Sequence, residues 1–587
     1  MAQPYSVIGM KGTGIQPRLE IRDLQQNPIQ FSLFTRALNS ILDMNNTDSQ
    51  SSDYIEQPNS WWQMAGIHGL PFNPWSGDPN GPQQANQNAH WGGYCYHASA
   101  LFPTWHRVVT MLAEQAVVNE AIGIASELNN DTWLQAAREL RLAYWDWTNL
   151  ETAQEGIPHI FQEEVVKIAN PDGSHDQVTN PLHHYNFTLK PGVARGIEYM
   201  NTWNRTYRWP NKDLNPTQEM YGEALKAFSE GATFQLGGST TNLQPVSWLR
   251  AKLSALFTYD LTLQDPSYGP NMWGYFSNTA AQSDRVHPPM PVMPSSIEES
   301  HNLLHLDTGG NGTMSWPEYA GKFNPTFYVT FVDENFVAFD PIFFMHHANV
   351  DRLYAFWEYV YPDYWIADGW KSSDSGSTVP FALYNEWSPD ITAIIQTIRN
   401  VSHIMPQQTN FLMKEEDDIA YLRQFIISGE LVESAFGGSH RFELFLLPTD
   451  QTRSQVVNSI SVFSRADPEA DTGSHVRGNM YLDSRLILYL LSRLKPHQCM
   501  AVTELDHLAA LIQERFGVRL MRPDGKTLAS TDPPIGTHHT HLEETKAPKL
   551  MLHSQVIQLS LRGTAPIKIG NYSTHGAFKE KSGWRAF

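Results

Sequence analysis

Cysteine is almost absent. Only Cys95 and Cys499 occur in 587 residues, which excludes a fold stapled by several disulfides. Positive charge is also short. Lys and Arg total 41 against 61 Asp and Glu, a formal net charge of -20. No basic run tracks a phosphate backbone, so nucleic acid is not expected as a partner. The acidity otherwise speaks to solubility. Long apolar runs are missing too. No stretch reads as the roughly 18 apolar residues of a membrane span, so no membrane partner is expected. The first residues, MAQPYSVIGMKGTGIQPRLEIRDL, lack the basic-then-apolar pattern of a secretory leader. The expectation is a soluble, cytoplasmic protein whose sequons, such as Asn186-Phe187-Thr188, go unread. A mature chain freed of a leader would read the same way.

What is present is a large stock of core-forming residues. The 41% hydrophobic and 12% aromatic content places the chain among globular proteins, long enough for more than one domain. To about residue 365 the pattern is mainly helical. FSLFTRALNSILDM carries apolar residues at helical spacing. A long helix is expected from about His106, in WHRVVTMLAEQAVVNEAIGIASEL. Another is expected in NDTWLQAARELRLAYWDW, breaking at Tyr144-Trp145-Asp146-Trp147. SSIEESHNLLHL starts on Ser295 or Ser296 as N-cap, with acidic residues in the first turn. DPIFFMHHANVDRLYAFWEYVYP has Asp340 as N-cap and Pro341 at the first helical position. KSSDSGSTVP reads as a connection. Beyond it the texture turns to strands. FIISGELVESAFGGSHRFELFLLP suggests a β-hairpin around Gly-Gly, and SQVVNSISVFS and KLMLHSQVIQLSLRG read as strands. LDSRLILYLLSRL and LDHLAALIQERFG read as helices. The organisation expected is one domain over 1–405, its linker at about 366–405, and a β-rich domain over 406–587.

Histidine carries the chemistry. His301 and His305 stand at i, i+4, one turn apart on one helix face, within reach of one metal ion. The residue after His301 is Asn302, so the general-base Glu of a zinc-protease motif is missing. His346-His347 follow on the next helix. Adjacent residues point about 100° apart, so one of the pair fits as a ligand and the other as a packed neighbour. Three imidazoles with an open position describe a catalytic metal site, suited to zinc, copper, iron or nickel. GGYCYHASALFPTWHR holds a second set, His97 and His106, with Cys95 beside them. His68 is a third candidate and His90 a neighbour that chemistry alone does not exclude. Two such trios point to a paired metal centre, and copper cycling between oxidation states suits them better than zinc.

Five motifs in order, GIHGLPF, CYHASALFPTWHR, LAYWDW, SIEESHNLLHLDTGGNG and FDPIFFMHHANVDRL, resemble the fungal tyrosinases. These belong to the type-3 dicopper family, with catechol oxidases and molluscan haemocyanins. The resemblance covers about residues 20–360. It implies a mainly α catalytic domain whose helical bundle holds a dicopper centre, plus a C-terminal β-rich, sandwich-like domain. It implies His68, His97 and His106 on the first copper and His301, His305 and His347 on the second, with His346 as a packed neighbour. It implies a thioether between Cys95 and His97. Asp351 and Arg352 match the family's VDR and are expected to anchor their helix. Asp351 also stands at i+4 from His347, where a carboxylate can orient a ligand ring. Ala143 departs from the family's usual proline before Tyr-Trp-Asp-Trp, and the Tyr-rich end of the family's catalytic domain is absent.

The chemistry implied is oxidation of phenols by O2, its co-substrate: ortho-hydroxylation of monophenols such as tyrosine, and conversion of catechols to o-quinones. A phenol proton leaves at a pKa of about 10, so a positioned base helps. Glu298 with Asn302 matches the family's water-holding pair. Glu299 is read as a first-turn residue favoured by the helix dipole only, and Leu306 as lining the entrance or packing in the core. The family's latency makes residues 406–587 a candidate lid, with Tyr481 or Phe463 as candidate plugs. A catechol or o-aminophenol oxidase without monophenolase activity, an O2 carrier of haemocyanin type and a zinc hydrolase are the other readings. Cys499 is read as a buried thiol, and His538, His539 and His541 as a solvated loop.

Overall fold

The computed structural model describes residues 4–10, 14–43, 57–69, 74–79, 94–97, 99–187, 204–209, 219–257, 272–279, 295–310, 337–362, 390–402, 405–432, 435–436, 439–447, 454–462, 475–523, 525–534, 536–561 and 568–587. Two compact units emerge. The first comprises Met1–His97, Leu101–Leu225 and His305–Tyr354; the second comprises Ala98–Ala100, Lys226–Leu304 and Ala355–Phe587.

The first unit is built on helices α1 (Pro28–Asp43), α2 (Trp61–His68), α3 (Phe102–Glu127) and α4 (Asp131–Glu139). α3 starts one turn before His106, because Pro103 sits comfortably in a first turn where no intrahelical N–H is needed. α4 is capped by Asn130, whose side chain accepts the N–H groups of Thr132 and Trp133. It ends at Glu139, well before the aromatic cluster. Leu140 turns extended, and Leu140 and Leu142 are buried while Arg141 between them is not. Period two has taken over from period 3.6 there. Tyr144 then bridges to Glu20. A hairpin also appears inside this helical region, β1 (Val165–Ala169) with β2 (His175–Thr179), turning through Gly173 at positive φ.

Among the described residues, α3 alone is long and apolar enough to cross a membrane, which corrects the expectation of no such stretch. Most of its apolar window is buried, and Glu114 within it pairs with Arg18. It is a core helix whose apolar composition reflects the protein neighbours covering most of it, while Val108 remains exposed.

In the second unit a further hairpin, β3 (Ala232–Leu236) with β4 (Ser239–Leu243), precedes α5 (Pro245–Leu256). Helix α6 (Ile297–Gly309) begins in this unit and ends in the first; α7 (Ile342–Val360) runs the other way. Ser296 is the α6 cap, its hydroxyl accepting the Glu299 N–H. Asp340 accepts the Ile342 N–H at the start of α7. At the far end of α6, Gly310 takes a positive φ with Trp209 so close that a Cβ would sit 2.4 Å from the indole. Only glycine ends the helix there without moving Trp209.

From Met413 onward strands dominate: β5 (Ile419–Val432), β6 (His440–Leu446), β7 (Gln455–Val462), β8 (His475–Leu482), β9 (Phe516–Met521), β10 (Lys549–Ser560) and β11 (Lys568–Ala577). Two antiparallel sheets form. β5 pairs with β10 along one edge and with β8 on the other, and β11 adds to β10. The second sheet holds β7, β6 and β9 in that order. The expected β5–β6 hairpin is therefore not made; the two strands lie in different sheets. Both strands are largely buried; β5 lies between β8 and β10, and β6 lies between β7 and β9. The sheets touch where Asn458 on β7 donates to the Tyr481 carbonyl on β8. α8 (Ser484–Ser492) and α9 (Leu505–Arg515) complete this region as expected.

Arg208 and Asp340 form an ion pair with no solvent exposure. The guanidinium also donates to the carbonyls of Phe161 and Leu182. Breaking such a pair strands a buried charge. Arg208→Met is expected to lower stability by about 3–5 kcal/mol in urea unfolding; Arg208→Met with Asp340→Leu should recover part of that loss.

Candidate metal centre

Four helices and the segment before α3 deliver the histidines. His68 is the last residue of α2, fully buried. Ser60 caps that helix, and Trp61 anchors it by donating to the Phe339 carbonyl at 3.0 Å. His106 lies on α3, and its Nδ1 stands 2.8 Å from the Phe102 carbonyl. A carbonyl only accepts, so Nδ1 carries the proton and Nε2 keeps its lone pair for a metal. Cys95 and His97 come from the segment before α3. The Cys95 sulfur is 3.4 Å from His97 Nδ1 and 3.6 Å from His106 Nε2. One donor atom from each of His68, Cys95, His97 and His106 lies within 4.8 Å of the others.

The second group is His301, His305, His346 and His347, with the same mutual spacing and all four buried. His301 Nδ1 is 2.9 Å from Asn302 Oδ1. The amide oxygen accepts, which again leaves Nε2 as the metal-facing nitrogen. The His305 ring lies 4.7 Å from that of His346 and 6.0 Å from that of His347. Both members of the pair thus stand within reach. His346 also packs 4.9 Å from Trp147, and burial, with His305 and His106 nearby, holds its pKa well below the usual value. The two groups meet at His106 and His347, whose rings stack 4.4 Å apart with planes 7° from parallel.

The supporting frame is ionic and aromatic. Asp351 accepts Arg107 at 2.5 Å on one oxygen and Arg18 at 2.6 Å on the other. This ties α7 to the residue after His106 and anchors the helix, as its VDR motif led us to expect. Arg352 pairs with Asp146 and lies over Tyr144. Trp145 donates its backbone N–H to the Met345 carbonyl. The Tyr-Trp-Asp-Trp segment is thus a brace for α7.

Glu298 is buried, and its Oε2 accepts both the N–H and the hydroxyl of Thr279 at 2.7 and 3.1 Å. Glu299 is more than a first-turn residue: it is equally buried and forms an ion pair with Lys252. Sequence reasoning missed Lys252 and Arg208, and no local pattern marks either. Leu306 is buried at 2% exposure. Tyr481, a candidate plug, is a buried residue of β8 packed with Ile426, Ala251, Ala255 and Tyr572. Phe463 and His90 lie outside the described residues. Cys499 is only half-buried, and desolvation raises its thiol pKa. His538, His539 and His541 enter neither histidine group among the described residues.

The model of the common central domain of tyrosinase matches residues 58–360, a span that contains both groups. The chain belongs to the tyrosinase family. It is 30% identical over 388 residues to polyphenol oxidase 2 of Agaricus bisporus, covering 65% of this chain and 58% of that protein. It is 30% identical over 357 residues to the tyrosinase of Neurospora crassa, covering 59% of this chain and 44% of that one. The matched region thus spans about half the length of these relatives. The fold matches recombinant mushroom tyrosinase with a TM-score of 0.62 at 21% identity, over 96% of this chain and 98% of that one. A holo-protyrosinase from Aspergillus oryzae matches with a TM-score of 0.62 at 19% identity, over 98% of both chains. The tyrosinase fold therefore extends through the β-rich region. The two imidazole-rich groups, with protonated Nδ1 on His106 and His301, fit the two copper ions of the family.

If Asn302 fixes the His301 tautomer, Asn302→Ala should weaken copper at the second group by about 10–100-fold. Chelator competition on the copper-loaded protein should then strip one ion early and leave the other at its original affinity.

Proposed function

We propose that this protein oxidises phenols with O2, hydroxylating monophenols such as tyrosine at the ortho position and converting o-diphenols to o-quinones. The observation that carries this reading is the pair of buried histidine groups meeting at the stacked His106 and His347 rings. In this reading His68, His97 and His106 hold one copper, and His301, His305 and His347 the other, with His346 packed against Trp147. Bound copper supplies the electron exchange with O2 that no amino-acid side chain performs.

The chain's own residues supply position and proton handling. The Phe102 carbonyl and Asn302 orient two ligand rings. Glu298, one turn before His301, holds a water that takes the phenol proton, and Asn302 completes that water's site. An o-diphenol needs less help, since its product forms by loss of two electrons and two protons without oxygen insertion. Cys95 is placed to form the thioether to His97, locking that ring. The chain organisation that fits is a catalytic region over 1–405 and a β-rich region over 406–587 that keeps the enzyme latent.

The test is direct. Copper-loaded protein should carry two copper ions per chain and turn catechol to coloured quinone, more strongly after protease or mild detergent. Copper binding without colour under any condition would favour an O2 carrier; one zinc and no copper would favour a hydrolase. Glu298→Gln should lower tyrosine hydroxylation about 10²–10⁴-fold while catechol oxidation stays within a few fold. Undiminished hydroxylation would remove Glu298 from the mechanism. Peptide mapping of copper-loaded protein should find Cys95 and His97 joined and lighter by two hydrogens. An alkylatable Cys95 would refute the crosslink.

A further inference from the structure

Glu298 stands in the first turn of α6 at 1% exposure, and one of its two carboxylate oxygens is already spoken for. Oε2 accepts the Thr279 N–H at 2.7 Å and the Thr279 hydroxyl at 3.1 Å. Bonds of this kind to a carboxylate are charge-assisted, stronger and more directional than bonds to a neutral acceptor. Both come from a single residue, so they set the place and the tilt of the carboxylate together.

Thr279 is itself firmly held, at 2% exposure. It follows Asn278, whose side-chain amide donates to the Gly274 carbonyl at 3.2 Å and to the Ser277 hydroxyl at 2.8 Å. These bonds close the short helix Met272–Ser277. Trp273 of that helix donates its indole N–H to the Ala100 carbonyl at 2.8 Å. Phe276 stacks 4.4 Å from Trp357 of α7, with planes 17° apart and neither ring exposed. Ala100 lies three residues after His97. Each of these contacts joins residues within 1–405, so the set is compatible with an enzyme whose β-rich region is displaced on activation.

A glutamate side chain has several rotatable bonds, and each rotamer carries its oxygens to a different place. A carboxylate that holds a water for proton transfer has to be fixed to within about half an ångström by the residues around it. Thr279, anchored through the 272–277 helix, meets that need at Oε2. We propose that Thr279 is the positioning residue of Glu298: it commits Oε2 and leaves Oε1 as the oxygen that holds the water taking the phenol proton. Thr279 acts through Glu298 and is assigned no contact with substrate. This role rests on the reading of Glu298 given above, whereas the Thr279–Glu298 bond does not.

Hydrogen exchange read by mass spectrometry on the full, metal-free chain tests the bond, with overlapping fragments resolving the Thr279 amide. Glu298→Ala should accelerate exchange there about tenfold. Glu298→Gln, whose neutral oxygen accepts more weakly, should accelerate it about threefold and serves alone if the alanine variant does not fold. Unchanged exchange at Thr279 would overturn the bond. Copper-loaded protein activated by mild detergent tests the role. Thr279→Val keeps the shape and removes the hydroxyl. It should lower kcat for tyrosine hydroxylation about tenfold, with KM for tyrosine, catechol oxidation and copper content close to those of the parent. Thr279→Ser, which keeps both donors, should restore hydroxylation. Thr279→Ala takes the place of the valine variant should that one not fold. Equal losses of hydroxylation and catechol oxidation would make Thr279 a structural residue only and overturn the proposal. Undiminished hydroxylation in Thr279→Val, where Glu298→Gln lowers it, would refute the positioning role and leave Glu298 standing. If Glu298→Gln itself leaves hydroxylation undiminished, the reading of Glu298 fails and the positioning role falls with it.

Discussion

Asp351 accepts Arg107 through one oxygen and Arg18 through the other, and the geometry of the histidine groups depends on that carboxylate. Arg107 follows His106 on α3, and Asp351 lies one turn after His347 on α7. The bonds fix how the two helices lie against each other, and so bring the His106 and His347 rings into parallel contact. Burial works against the charge of Arg18, but Glu114 and Asp351 outweigh it and raise its pKa. Charge-assisted bonds of this kind are short and directional. They suit a frame that must hold rings to fractions of an ångström, which apolar packing alone does less well.

Around this frame the aromatic residues act as spacers. Trp145 and Trp147 are fully buried beside α7, and Phe343 packs 4.2 Å from the His347 ring and 4.7 Å from that of His68. Rigid rings restrict the rotamers of their neighbours at little entropic cost. The clustered imidazoles are thereby held in fixed orientations, with the Phe102 carbonyl and Asn302 each engaging the Nδ1 of its histidine.

Two of the buried ion pairs among the described residues join groups far apart in sequence. Arg208 reaches Asp340, and Glu299 takes Lys252 and the Asn479 amide. These contacts make the fold specific. They also couple regions, because moving one partner leaves the other buried without compensation. A β-rich region joined to α6 in this way does more than add mass to the chain.

Much of the site was readable beforehand. His301 and His305 carry their relation in a four-residue spacing, and Cys95, His97 and His106 lie within one short segment. Most helices announced themselves by period, and two by cap: Ser296 and Asp340 each accept an N–H group at a helix start. Such signals are local, so the sequence alone determines them. Other features were decided only by the tertiary structure. That β5 and β6 belong to different sheets rests on pairings with β10 and β9, at least 70 residues further along the chain. That α4 stops at Glu139 follows from the extended pairing of Tyr144 with Glu20. That Glu299 is a buried, paired carboxylate while resembling any first-turn glutamate follows from Lys252, 47 residues earlier. Contacts at such separations leave no periodic trace in the chain. The amino acids state which groups can bind metal or carry charge, and only packing states which of them meet.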